Sequence, residues 1–98
     1  MSTAVRLSDA AHRYAEVLAR VMETFCPPPL LARGWRFQAR PTVGVIPTGQ
    51  VQVLAWHPEV SKRLGRVRTF LSRPDEAPDA VAVKLDALLR LVLHDDCQ

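Results

Sequence analysis

Residues 41–56 read PTVGVIPTGQVQVLAW, in which valines alternate with glycine, threonine or glutamine on either side of Ile46-Pro47-Thr48-Gly49. Alternation of period two is typical of strands with one buried face, and proline and glycine suit the turn that joins them. The pattern therefore predicts an antiparallel β-hairpin over residues 35–56. A tight turn at Ile46–Gly49 would make three pairs: Val45 with Val51, Val43 with Val53, and Pro41 with Ala55.

The two faces of this hairpin differ in chemistry. One face carries the valines and suits a hydrophobic core. The other carries Arg36, Arg40 and Trp56 among polar side chains. Arginine and tryptophan are enriched at the energetic centres of protein interfaces. We therefore expect this face to be solvated or to bind a partner.

Upstream of the hairpin, residues 8–25 have the apolar spacing of an amphipathic helix. Ser8 is a suitable N-cap, and the prolines of residues 27–29 are expected to end the helix and continue as an extended connector to residue 34. Downstream, the pattern predicts a last helix over residues 79–94. Its apolar positions exceed one packing face, so burial between two layers or a homodimer through residues 81–93 is expected.

Residues 58–72 are compatible with two structures. Val60, Leu64, Val67 and Leu71 lie on one side of a helix, which favours a single helix over this segment. Alternatively, Gly65 caps a short helix and residues 66–72 form a third strand.

A chain of 98 residues with 48% apolar and 23% charged residues fits one small α+β domain. The preferred order is α-β-β-α-α, with the hairpin packed on two longer helices, and the alternative is α-β-β-β-α. That alternative order resembles the double-stranded RNA-binding domain in outline. Members of that family carry lysines at the start of the last helix, where RNA phosphates dock, whereas this sequence has Asp75, Glu76 and Asp79 there. We therefore assign the sequence to no family.

Charge is unevenly distributed along the chain. The net charge is zero over residues 1–26, +7 over residues 27–73 and −4 over residues 74–98. A basic segment suits phosphates or an acidic protein surface. Equally, the acidic last helix could neutralise it within the folded domain.

The sequence contains no recognisable catalytic or metal-binding motif. Gly44 and Gly49 have the spacing of a phosphate-binding loop but lack the lysine and hydroxyl residue that follow in it, and His94 and Cys97 are too few to hold zinc. We expect no enzymatic activity, no cofactor and no metal. The N-terminus lacks the pattern of a signal peptide, and arginine outnumbers lysine, so we expect a cytoplasmic bacterial or phage protein with reduced cysteines.

Two functions remain. The first is a small protein-binding module, an adaptor or an inhibitor, such as an accessory protein of a phage or mobile element that blocks a host factor. Its partner is expected to have an acidic surface. The second is nucleic-acid binding through the arginine-rich segment 33–73. The candidate partner-binding residues are Arg36, Arg40, Trp56, Lys62, Arg63, Arg66, Arg68 and Arg73.

Overall fold

The structure is a computed structural model that describes residues 3–42 and 49–97, with the helical backbone alone for residues 3–8. Its elements are α1 (Thr3–Phe25), α2 (Pro28–Ala32), β1 (Arg36–Pro41), β2 (Val51–Trp56), α3 (Val60–Leu64), β3 (Arg68–Ser72) and α4 (Pro78–Asp96). The predicted α+β class is confirmed. Apart from the short helices α2 and α3, the order is the alternative α-β-β-β-α.

The three strands form one antiparallel sheet in the order β1-β2-β3. The predicted hairpin register is wrong, because Pro41 pairs with Val51 and not with Ala55. Phe37 and Ala39 occupy the positions opposite Ala55 and Val53, so the end of β1 nearer α2 supplies the apolar side chains. The register differs by an even number of residues, so the predicted faces of the sheet are unchanged. Residues 43–48, with the predicted pairs of Val43 and Val45, lie outside the described residues.

The segment from 58 to 72 contains a short helix and a strand, so the favoured single helix is wrong. Gly65 follows α3 with φ of +68°, a left-handed conformation that ends the helix. After this turn, β3 pairs with β2, and Phe70 lies opposite Val53. Pairing with β2 gives the backbone N–H and C=O groups of β3 their hydrogen-bond partners. A single helix would instead have to continue through Gly65, and glycine is unfavourable inside a helix.

Both ends of the first helical region differ from prediction. Helix α1 begins at Thr3 and not at Ser8, since residues 3–7 contain no helix breaker. The expected extended connector contains α2, because Pro28 occupies the first turn, where a missing N–H costs nothing. Leu30 of α2 is buried in the core. Helix α4 extends the predicted last helix by one residue at its start and two at its end.

The core lies between the sheet and two long helices. Helix α1 packs over β1 and β2, and α4 packs over β3 and β2. Trp35, just before β1, is 1% exposed and is the largest of the fully buried side chains. Helix α4 buries Leu85, Leu88 and Val92 on one side only. Its predicted burial between two layers is therefore wrong, and Val83, Leu91 and Leu93 are exposed. No helix in the described ranges is long and apolar enough to cross a membrane.

Candidate functional site

The face of the sheet turned away from α1 and α4 is the candidate site. Side chains alternate between the faces of a strand, and Val51, Val53 and Ala55 of β2 are buried under the helices. The intervening side chains make up the other surface, which we call the open face. It consists of Arg36, Gln38 and Arg40 from β1, Gln52, Leu54 and Trp56 from β2, and Thr69 and Leu71 from β3.

The sheet register sets the spacing of the open face. Arg36 lies directly opposite Trp56, and Arg40 lies opposite Gln52. The Arg40 guanidinium donates a hydrogen bond of 3.5 Å to the Gln52 side-chain oxygen, and Arg36 donates one of 3.2 Å to the Trp35 carbonyl. Within residues 9–42 and 49–97, neither arginine forms an ion pair. The face therefore combines two cations with half-buried apolar side chains and contains no carboxylate.

Two other predicted binding arginines lie within the domain's own contacts. Asp95, at the end of α4, has a side chain that is only 3% exposed. It accepts hydrogen bonds from Arg68 at 2.7 and 2.8 Å and from Arg66 at 2.9 Å. The hydrogen bond from Arg68, followed by that from Arg66, holds the pKa of the Asp95 carboxyl below its ordinary value. Arg66 and Arg68 therefore both bind one buried carboxylate, and their side chains are 44% and 19% exposed.

The adjacent Asp96 binds a second set of residues. It accepts a hydrogen bond of 3.0 Å from the Trp35 indole N–H and forms an ion pair with Arg33. The Trp35 hydrogen bond is the main cause that lowers the pKa of the Asp96 carboxyl. We call Asp95 and Asp96 with their partners Arg33, Trp35, Arg66 and Arg68 the C-terminal clamp. It joins the end of α4 to the segment that precedes β1 and to the start of β3.

His57 supports the clamp from the loop between β2 and α3. Its Nδ1 accepts the backbone N–H groups of Glu59 at 3.1 Å and Val60 at 3.2 Å. Its Nε2 therefore carries the proton and donates to the Arg33 carbonyl at 2.7 Å. The ring also meets Trp35 edge-on, with centroids 5.6 Å apart. His57 is thus positioned to hold the start of α3 and the end of α2.

The remaining predicted residues are dispersed. Lys62 and Arg63 are exposed on α3, beyond the end of the sheet that carries Trp56. Arg73 is exposed after β3, at the opposite end. The structure therefore places Arg36, Arg40 and Trp56 on one face of the sheet, with Arg36 directly opposite Trp56 and Arg40 nearer the other end, and places the other five off that face.

A partly buried polar network joins α1, β3 and α4. The Ser72 hydroxyl donates to Glu76 at 2.6 Å and lies 2.7 Å from the Tyr14 hydroxyl. Lys84 donates to Glu76 at 2.5 Å and to the Leu71 carbonyl at 2.7 Å. The hydrogen bonds from Lys84 and then Ser72 lower the pKa of Glu76. No buried side-chain polar atom in the described ranges lacks a partner.

The described residues contain no cluster of three or more groups suited to hold a metal ion. Cys26 and Cys97 are free thiols, and burial raises the pKa of Cys26. A buried thiol with a raised pKa has little of the thiolate that a nucleophile requires.

The chain matches no protein-family model, no curated protein and no solved structure. The architecture is an α+β domain with an antiparallel three-stranded sheet covered on one side.

Proposed function

We propose that the protein is a small non-enzymatic binding module whose open face binds the acidic surface of another protein. The observation that carries this proposal is the pairing of Arg36 with Trp56 on the open face. A half-buried tryptophan presents a large apolar area at little cost in side-chain entropy, and an adjacent guanidinium supplies directional hydrogen bonds. Leu54 and the exposed Leu71 extend the apolar surface across the sheet.

The charge of the face supports an acidic partner. Arg36 and Arg40 are its only charged side chains, and both are cationic. Planar guanidinium groups bind carboxylates through two parallel hydrogen bonds. An acidic protein surface would therefore be steered towards the face by charge and held by Trp56.

Affinity capture with matched variants tests this function. The wild-type protein should retain a specific acidic protein, identified by mass spectrometry and then purified for direct titration. Trp56→Ala should weaken the purified complex by at least about tenfold, because truncating an interface anchor typically costs about 2 kcal/mol. Arg36→Glu with Arg40→Glu should weaken it further.

Arg90→Ala is the matched control, because Arg90 lies on α4 and is exposed on the opposite side of the domain. It should bind as the wild type does. A partner whose affinity is the same for wild type and Trp56→Ala would place the binding site elsewhere. Circular dichroism would verify that each variant retains its fold.

Nucleic-acid binding is the competing function, and the same variants separate it from protein binding. Trp56 could stack on an unpaired base while Arg36 contacts phosphate. This model predicts binding of single-stranded DNA or RNA at physiological salt, followed by fluorescence anisotropy, with loss in Trp56→Ala. Absence of such binding leaves the protein-binding proposal in place.

A further inference from the structure

Helices α1 and α4 leave an apolar groove on the side of the domain opposite the open face. Its volume is about 420 Å³. Its walls include Val17, Val21 and Phe25 from α1, and Val81 and Leu85 from α4. Val17 and Phe25 are 54% and 56% exposed. Exposed apolar patches on soluble domains mark interaction sites. The groove therefore has the composition of a binding interface.

The groove is bordered on the α1 side by a basic stripe. At 100° per residue, Arg13, Val17 and Arg20 lie on the side of α1 turned away from the sheet, opposite the buried Leu18 and Met22. All three stripe residues are exposed. The acidic residues of α1 lie further from the groove around the helix.

The border on the α4 side carries acidic residues at the same spacing, of which Asp86 also forms an ion pair of 3.0 Å with Arg90 of α4. Asp79, Val83 and Asp86 are exposed and lie opposite the buried Leu85 and Val92. Val83 is 70% exposed, so the core does not account for this apolar residue. The two stripes thus read Arg-Val-Arg and Asp-Val-Asp, each at positions i, i+4 and i+7.

The two stripes also run beside the same groove. Tyr14 of α1 hydrogen-bonds to Ser72, close to the start of α4, whereas Trp35, which follows the end of α1, hydrogen-bonds to Asp96 at the end of α4. The two helices therefore run in the same direction. Tyr14 and Pro78, the sequence neighbours of Arg13 and Asp79, line the same groove, so the equal spacing lets the two stripes match residue for residue.

We propose that two copies of this chain form a symmetric dimer through the α1–α4 groove, with α1 of each copy packed on α4 of the other. A two-fold axis along the groove places the basic stripe of one copy on the acidic stripe of its partner, twice. Arg13 then meets the partner's Asp79. Arg20 meets the partner's Asp86, which exchanges or shares its ion pair with Arg90 of its own helix. Val17 packs on the partner's Val83 between these charges. The open face stays free in this dimer.

Charge reversal with reciprocal rescue tests the dimer. Sedimentation equilibrium should show a wild-type dimer at micromolar concentrations. Arg13→Glu with Arg20→Glu creates acidic stripes on both helices, and Asp79→Arg with Asp86→Arg creates basic stripes on both. Each double variant alone should raise the dimer dissociation constant by at least about tenfold, because like charges then face each other.

Mixing the two double variants restores opposite charges at both contacts. The mixture should therefore form a heterodimer with close to wild-type affinity. Arg36→Glu with Arg40→Glu is the matched control, since it reverses two arginines on the open face and should leave the dimer intact. This control also keeps failure of the dimer distinct from failure of the proposed function.

Val83→Asp gives a second, independent test. Because Val83 is exposed, the substitution should leave the circular dichroism spectrum unchanged while it weakens the dimer. A wild-type protein that is monomeric up to high micromolar concentration would overturn the proposal. So would double variants that dimerise as the wild type does, or a mixture that does not associate.

Discussion

Gly34 allows the chain to turn between the end of α2 and the start of β1. Its φ is +105°, and a Cβ at this position would lie 3.0 Å from Nε2 of His57. Gly34→Ala is therefore expected to lower the free energy of unfolding by about 2 kcal/mol, through backbone strain and displacement of the imidazole. Urea denaturation measures this loss.

Gly65→Ala is the matched control for Gly34→Ala. Gly65 also has a positive φ, of +68°, but a Cβ there would meet nothing within 4 Å. Its expected loss of stability is about 1 kcal/mol, from backbone strain alone. Equal losses at the two glycines would contradict the contact with His57.

Asp95 combines burial with two guanidinium partners. Asp95→Asn keeps the size of the side chain but removes the charge that Arg68 and Arg66 neutralise. We expect the free energy of unfolding to fall by about 2 kcal/mol, the scale of hydrogen bonds to charged groups. Asp9→Asn, at an exposed position of α1, should change it by less than about 0.5 kcal/mol. A similar small change in Asp95→Asn would show that the buried carboxylate contributes little.

The clamp makes the attachment of α4 to the rest of the domain dependent on pH. The pKa values of Asp95 and Asp96 are lower in the folded chain, chiefly because of Arg68 and Trp35 respectively. Their stabilising contribution is therefore complete above the ordinary carboxyl pKa of about 4 and is lost as the pH falls through the folded values.

The urea midpoint should therefore vary little from pH 7 to about pH 5 and fall steeply below about pH 4. Asp95→Asn combined with Asp96→Asn should start from a lower midpoint at pH 7 and show a shallower decline in acid. If the double variant declines as steeply as the wild type does, the acid sensitivity resides in other carboxyls, of which Glu76 is the next candidate.

The elements that local patterns specify were predictable from sequence, whereas those set by distant contacts were not. The faces of β2 follow from alternation alone. The segment that contains Val67 and Leu71 fits a period of 3.6 as well as a period of two, and only pairing with β2 decides between them. The predicted register of the hairpin was wrong for a similar reason. Phe37 and Ala39 are partly buried because α1 packs over β1, a contact that the local pattern does not reveal.

The residues of the clamp show where a signal existed and where it did not. Asp95 continues the buried spacing of Leu85, Leu88 and Val92 on α4, so helical phase could have indicated a buried carboxylate. Trp35 gave no periodic signal, and the partner of its indole N–H is Asp96, sixty-one positions away. Of the candidate site, Arg36, Arg40 and Trp56 could be predicted to share a face, while the pairing of Arg66 and Arg68 with Asp95 required the third dimension.

For the whole molecule, the clamp changes the meaning of the basic central segment. Arg33, Arg66 and Arg68 are paired with the end of α4, so the acidic last helix neutralises part of the charge of residues 27–73. The open face retains Arg36 and Arg40 as its cations. The cations of this segment are therefore divided among the clamp, the open face, α3 and the end of β3.

This distribution of cations predicts that the affinity of the protein for nucleic acid depends only weakly on salt concentration. Each phosphate neutralised contributes about −0.9 to the slope of log K against log salt concentration for duplex DNA. Binding through Arg36 and Arg40 should give a slope no steeper than about −2, whereas a free basic segment of eight cations would give about −7. Fluorescence anisotropy with labelled duplex DNA across a salt series measures the slope. Arg66→Ala should leave it unchanged. A slope steeper than about −4.5, the value for all five cations of residues 27–73 that lie outside the clamp, would mean that the clamp opens to expose its arginines.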